Sequence, residues 1–157
     1  TLELKLNTKL FLEPAVYYDD ANLKTSGPNP PEVDKETSYT VHWKILNICS
    51  DASDAKVVTS LPTGVKWAGK IYPESESLDY NERTNQLIWN IGKIKSGTGI
   101  ITPKQEVSFQ ISIIPQVNQI QNKIPLLNDA NLTAKDIFTG SPLSSSSRGL
   151  DARAVLK

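Results

Sequence analysis

From Tyr39 to Ile45 the bulky residues Tyr39, Val41, Trp43 and Ile45 alternate with Thr40, His42 and Lys44. This period of two puts one face of an extended strand against a core and the other in water. The same alternation recurs at Val107, Phe109, Ile111 and Ile113 against Ser108, Gln110 and Ser112, and more briefly at Ala55, Val57 and Thr59. Leu2, Leu4 and Leu6 open the chain in the same way, and Leu10–Leu12 and Val16–Tyr18 extend it. Pro14 lies between those two runs and points to an edge strand or a bulge, so the opening strand is expected in two pieces. Gln86–Ile91 returns upon Leu78–Asn81 through Glu82–Asn85, a turn in which Asn85 suits a left-handed position.

Between these runs stand breakers. Asp19–Pro31 ends in Gly27-Pro28-Asn29-Pro30-Pro31 and predicts a long loop, followed by a short edge pairing at Glu32–Val33. Leu61-Pro62-Thr63-Gly64 stops one strand before Val65 and Trp67 begin the next, and Gly92–Gly99 reads as a connection. Pro115 closes the Val107–Ile113 strand. After the polar stretch Gln116–Lys123, Leu126–Asn128 and Ala130–Ile137 predict a further strand. Thr139-Gly140-Ser141-Pro142 then reverses the chain into Leu143–Leu150, which reads as a closing strand or a flexible tail, the strand being preferred because the interval is short enough to lie along a sheet edge. No segment sustains a period of 3.6, so the pattern predicts an all-β sandwich of about seven to ten strands.

Composition narrows this only slightly. At 157 residues the chain is expected to be one domain, with its core over about 37–155 and an N-terminal extension, 1–36, packed on it. Lys plus Arg and Asp plus Glu are both 17, so no basic face for nucleic acid and no footprint for acidic lipid is expected. No apolar run approaches the roughly 20 residues that span a bilayer, and no direct membrane insertion is expected. The chain starts at Thr1 and has no Met, which predicts a processed chain or a segment of something longer, with any signal peptide or anchor lying elsewhere.

Candidate chemistry is sparse. The single cysteine, Cys49, forms no intrachain disulfide and reads as a small apolar residue at a strand end. The single histidine, His42, falls on the polar face of its strand and reads as a surface residue. Saccharide binding needs exposed aromatic rings; Trp67, after a Pro/Gly turn, is the foremost candidate, with Tyr17, Tyr18, Tyr72 and Tyr80 behind it, whereas Trp43 and Trp89 face the core. Asp19–Asp20 and Asp51 with Asp54 are possible calcium loops, but no Asp-x-Asp-x-Asp spacing accompanies them. Lys44, Asn128 and Glu106 are the residue types of a Lys–Asn crosslink beside a carboxylate, although Lys44 reads as outward-facing. Gly-x-Ser-x-Gly, His-Glu-x-x-His and phosphate-loop motifs are absent, and no catalytic or cofactor-binding residue is assigned; no cofactor or metal is expected.

Taken together, Tyr39-Thr-Val-x-Trp-x-Ile, Asp54-Ala-x-Val, Leu61-Pro-x-Gly-Val-x-Trp67 and Leu87-x-Trp-x-Ile-Gly-x-Ile-x-x-Gly97 resemble the immunoglobulin-like conserved-repeat (DUF11-like) domains of bacterial surface proteins. Glu106-Val-x-Phe-x-Ile-x-Ile113 and Leu132-Thr-Ala-x-Asp136 are similar to strands further along those domains, so the resemblance spans about Tyr39 to Gly140. The N-terminal part with Gly27–Pro31 resembles an extended variant from uncultured bacteria. The resemblance implies an immunoglobulin-like antiparallel β-sandwich with an extended N-terminal strand region, outside the cell, acting as a stalk, spacer or adhesion module rather than an enzyme. Its implied partners are neighbouring domains of the same polypeptide and, beyond them, a surface glycan or protein; the alternative is a carbohydrate- or protein-binding accessory module.

Overall fold

The computed structural model describes residues 9–48, 50–119 and 124–156; the strand expected at Leu2–Leu6 and the reading of Cys49 lie outside the described residues. In chain order the strands are β1 (Leu10–Tyr17), β2 (Thr37–Asn47), β3 (Ala52–Ser60), β4 (Val65–Tyr72), β5 (Ser77–Asn81) and β6 (Gln86–Ile94). They continue with β7 (Gln105–Ile113), β8 (Pro125–Leu127), β9 (Ala130–Asp136), β10 (Pro142–Ser147), β11 (Leu150–Asp151) and β12 (Val155–Leu156). One five-stranded sheet runs β12-β1-β2-β7-β4, a second runs β10-β9-β3-β6-β5, and β8 pairs with β11 in a small ribbon. Every pairing is antiparallel except β1 with β12. This is the all-β sandwich that the alternation predicts.

The core is the inward row of each sheet. Tyr39, Val41, Trp43 and Ile45 of β2 are fully buried, as are Val107, Phe109 and Ile111 of β7 and Leu87 and Trp89 of β6. Trp43 stacks across the sandwich on Trp89 at 6.3 Å between ring centroids and takes the edge of Phe109 at 4.9 Å, so two of the three tryptophans join the sheets. Each such ring buries roughly 150–250 Å². The β5–β6 hairpin forms as expected, with Asn85 at φ 57 and its side-chain amide on the Leu61 carbonyl at 2.6 Å.

Several expectations are corrected. β1 is one continuous strand through Pro14, because β12 pairs only with Val16 and Tyr17 and leaves the edge open where proline has no N–H to give. Glu32–Val33 makes no edge pairing; the backbone turns there, with Lys35 N–H donating to Glu32 O and Asp34 at φ 59. β6 runs on through Gly92, opposite Ala55 where β3 bulges, and ends only at Ile94. By contrast, the closing strand preferred for Leu143–Leu150 is present at the sheet edge, where Pro142–Ser147 pairs with β9 along its whole length.

Residues 18–36 fold back over the outer face of the first sheet, with Thr40 Oγ1 donating to Leu23 O at 3.1 Å and Gln110 Nε2 to Lys24 O at 2.8 Å. The chain also has a polarity: β1 starts beside the Asn47 end of β2, and β12 runs parallel to β1 alongside its last residues, so entry and exit lie at opposite ends of the sandwich.

Candidate binding groove

On the outer face of the first sheet, strand register aligns Ala15, His42, Ser108 and Tyr72 in one row across β1, β2, β7 and β4. The neighbouring row holds Glu13, Lys44 and Glu106. Between Tyr72–Pro73 on one side and Asn22 of the overlying loop on the other lies a groove of about 710 Å³, floored by His42, Ser108 and Glu106 and closed towards the entry end by Lys104 and Gln105. Tyr72 is 45% exposed.

His42 organises the floor. Its Nε2 lies 2.5 Å from Asp20 Oδ2, its Nδ1 lies 2.5 Å from Glu106 Oε1 and 3.2 Å from Ser108 Oγ, and its ring meets Tyr17 edge-on at 4.7 Å. Asp20 is set by its own turn, Oδ1 accepting from the N–H groups of Asn22 at 2.9 Å and Leu23 at 2.8 Å, the Asx geometry favoured by Asp. Burial pushes the Asp20 carboxyl up, but the N–H groups of Leu23 and Asn22 and the His42 ring outweigh it and hold it below its ordinary value. Asp, His and Ser thus meet at one point on the groove floor, where Ser108 is 3% exposed and its Oγ shares Nδ1 with Glu106.

The reading of His42 as a surface residue is therefore corrected. It is on the outward face, as alternation requires, but the loop from β1 covers that face and leaves its side chain 13% exposed. Two carboxylates closing on one ring from different elements is an arrangement that sequence spacing does not display; the concentration of Asp19, Asp20 and Asn22 in a loop ahead of the only histidine is its sole local trace.

Of the other candidates, Trp67 is half-buried, stacked on Tyr80 and tilted on Phe109, each with centroids 5.7 Å away, so it seals the β4–β5 side of the sandwich. Tyr17 and Tyr18 are half-buried, Tyr18 donating to Gly27 O at 2.6 Å. Tyr72, placed among the secondary candidates, is the aromatic that stands exposed beside the groove. Asp51 accepts from Ser96 N–H at 2.8 Å and faces Lys93 at 3.5 Å, contacts that hold its carboxyl below the ordinary value, while Asp54 points outward at φ 53 from the β3 bulge. Among the described residues no group of three or more His, Cys, Asp or Glu is arranged to hold a metal ion. Lys44 and Glu106 are cross-strand neighbours near the entry end, but Asn128 lies beside Ser60 at the exit end, 3.1 Å from its Oγ, so the three residues of the crosslink reading are not brought together.

No protein-family model matches the chain, and no curated protein matches it in sequence. Among solved structures the fold resembles the major pilin subunit BcpA of Bacillus cereus, with a TM-score of 0.54 and 12% identity over 96% of this chain and 41% of that one. It also resembles the full-length major pilin SpaD of Corynebacterium diphtheriae, with a TM-score of 0.53 and 11% identity over 91% of this chain and 35% of that one. The chain thus spans less than half the length of either of these two structures. At such identities the likeness is one of fold: the molecule is an immunoglobulin-like β-sandwich of the kind found within bacterial pilin subunits.

Proposed function

We propose that the chain is a single structural module, 1–157, of a larger bacterial cell-surface or secreted protein, and that it extends or displays its neighbours without catalysing a reaction. The observation that carries this reading is the polarity of the fold: the strand that starts the described chain enters at one end of the sandwich and the strand that finishes it leaves at the other. A module inserted in a chain this way adds its own length to the assembly, whereas a module with adjacent termini hangs to one side. The likeness to pilin subunits in fold, and a described chain with no helix long and apolar enough to cross a membrane, support the same reading. Protease treatment of intact cells followed by mass spectrometry is expected to release peptides of this chain; their recovery only after lysis would overturn a surface location.

A second reading, an accessory module for a glycan or protein, is favoured by the groove beside Tyr72. Titration of isotope-labelled protein with a panel of cell-wall and host saccharides should then shift amide signals of Tyr72, Ser108 and Glu106, and Tyr72→Ala should abolish the shifts while Trp67→Ala lowers stability instead. Shifts confined to Trp67 and Tyr80 would return the site to β4.

A further inference from the structure

The ring of His42 stands between two carboxylates, with Asp20 Oδ2 at 2.5 Å from Nε2 and Glu106 Oε1 at 2.5 Å from Nδ1. A neutral imidazole carries one N–H, so only the imidazolium donates to both; in either neutral tautomer one carboxylate oxygen faces a nitrogen lone pair. We infer that His42 and Glu106 form a proton-operated switch in the groove floor. The protonated ring pins Glu106 down, and loss of the Nδ1 proton to water frees the Glu106 carboxylate into the groove while Asp20 stays in place. The switch belongs to the chain itself and needs neither a neighbouring domain nor a ligand.

Burial decides which carboxylate lets go. The Asp20 side chain is 7% exposed and that of Glu106 35%. A released Asp20 loses its partner inside the fold, whereas a released Glu106 turns into water, and an unpaired charge costs far more in the first place than in the second. Asp20 is also held from behind by the N–H groups of Asn22 and Leu23. The loop that carries it is tied down by Thr40 to Leu23 O and by Gln110 to Lys24 O, bonds between neutral groups that involve no titrating partner. The ring nitrogens differ in the same sense. Ser108 Oγ lies 3.2 Å from Nδ1, so its hydroxyl can donate to that nitrogen once Glu106 has gone, while Nε2 has Asp20 alone among the described residues. The neutral ring therefore keeps its proton on Nε2, towards Asp20.

The surrounding groups favour the same movement. Lys44, on the ring's own strand, is the register partner of Glu106 on β7 and of Glu13 on β1, and it offers the freed carboxylate a cation. Along the groove Lys104 is held by Glu13 at 2.6 Å, Glu76 accepts from Trp89 Nε1 at 2.9 Å, and Lys93 and Lys95 also line the walls. Tyr17 of β1, edge-on to the ring, and Tyr72 of β4, in its row, complete the titratable groups around it. With the proton gone the floor is more negative by a unit charge. A ligand that donates hydroxyl groups then meets an open acceptor where the protonated state presents a capped one.

Nuclear magnetic resonance of the isotope-labelled chain, taken from acid to alkaline through the range in which histidine titrates, tests this. On the acid side both ring nitrogens of His42 are expected to carry protons, and Glu106 to hold a single rotamer with its γ-protons in contact with the ring. On the alkaline side Nδ1 should show the large downfield shift of a bare nitrogen and Nε2 should not. The contacts between Glu106 and the ring should be lost with the same midpoint, while the Asn22 and Leu23 amides keep their protection from hydrogen exchange. In His42→Gln, which has no ring proton to lose, the Glu106 rotamer should not respond over the same range; the parent titration decides by itself if that variant does not fold. A bare Nε2 overturns the inference, as does loss of protection at Asn22 and Leu23 in step with the ring. So do a Glu106 that keeps its contacts once Nδ1 is bare, a Glu106 that responds to pH in His42→Gln, and a ring whose protonation stays the same for as long as the chain is folded.

Discussion

Tyr39 is fully buried and its hydroxyl has no hydrogen-bond partner among the described residues. Burial, with Tyr18 adding to it, pushes the phenol from 10.0 up to about 12. A folded value above the unfolded one means that the associated stability is whole below pH 10 and is lost as pH rises towards about 12. Tyr39→Phe removes a polar atom that gains nothing where it lies, so it is expected to be neutral or to stabilise by up to about 1 kcal/mol in urea denaturation. It should also flatten the alkaline fall in stability above pH 10; an unaltered alkaline limb assigns that fall to other groups. Asp20 works at the other extreme. Its carboxyl is held below 3.8 in the fold, so its contribution is whole above that pH and fades as pH falls through the folded value. Asp20→Asn should therefore cost about 1–2 kcal/mol at neutral pH and less in acid. Equal losses at pH 7 and in strong acid would falsify the assignment. Neither residue announces its role in the sequence: Tyr39 is one of four matched core positions, and Asp20 one of several acids in a loop.

At the scale of elements, the strands that stand closest to expectation are those whose pattern is internal. β2 and β7 alternate over their whole length, and the β5–β6 hairpin is closed by a local turn in which Tyr80 Oη donates to Asn85 and the Asn81 side chain accepts from Arg83 N–H. The loop over the first sheet behaves differently, because its path is fixed by partners far along the chain. His42 and Glu106 are 64 positions apart, and Gln110 and Lys24 are 86 apart. Gly27 shows how tightly that path is held. It adopts φ 93, and a Cβ there would stand 2.0 Å from the Glu36 carbonyl oxygen. Gly27→Ala is expected to cost at least about 2 kcal/mol, from the left-handed backbone and the overlap together. Thermal unfolding measures this directly, and a melting temperature within a degree of the parent would show that the loop shifts at little cost. Trp67 belongs here as well: a short strand after a Pro/Gly turn reads as exposed, but the β4 edge folds its ring onto Tyr80 of the opposite sheet.

For the molecule as a whole, the pairings that make the sandwich are mostly non-local: β1 closes on β12, β3 on β9, and β2 on β7 across most of the chain. Loop closure must precede the reward of such pairings, so refolding from urea is expected on the millisecond-to-second scale typical of sandwiches and slower than that of helical bundles. Stopped-flow tryptophan fluorescence reads it through Trp43 and Trp89, which come together only when the two sheets meet; a microsecond phase carrying the whole signal would contradict it. Two of the sheet edges are guarded against pairing with further strands: β4 bulges between Trp67 and Ile71 and carries Lys66 and Lys70, and β5 is five residues long.

The amino-acid sequence by itself determined the all-β class, the inward rows of β2 and β7, and the β5–β6 hairpin, because a period of two and a left-handed turn residue are local properties written in adjacent positions. Tertiary structure alone decided what covers the outward rows. The loop that encloses His42 between Asp20 and Glu106, the exposure of Tyr72 beside the groove, the sealing of Trp67 and the opposite placement of entry and exit all depend on which distant segments meet, and periodicity assigns a residue to a face without saying whether that face meets water.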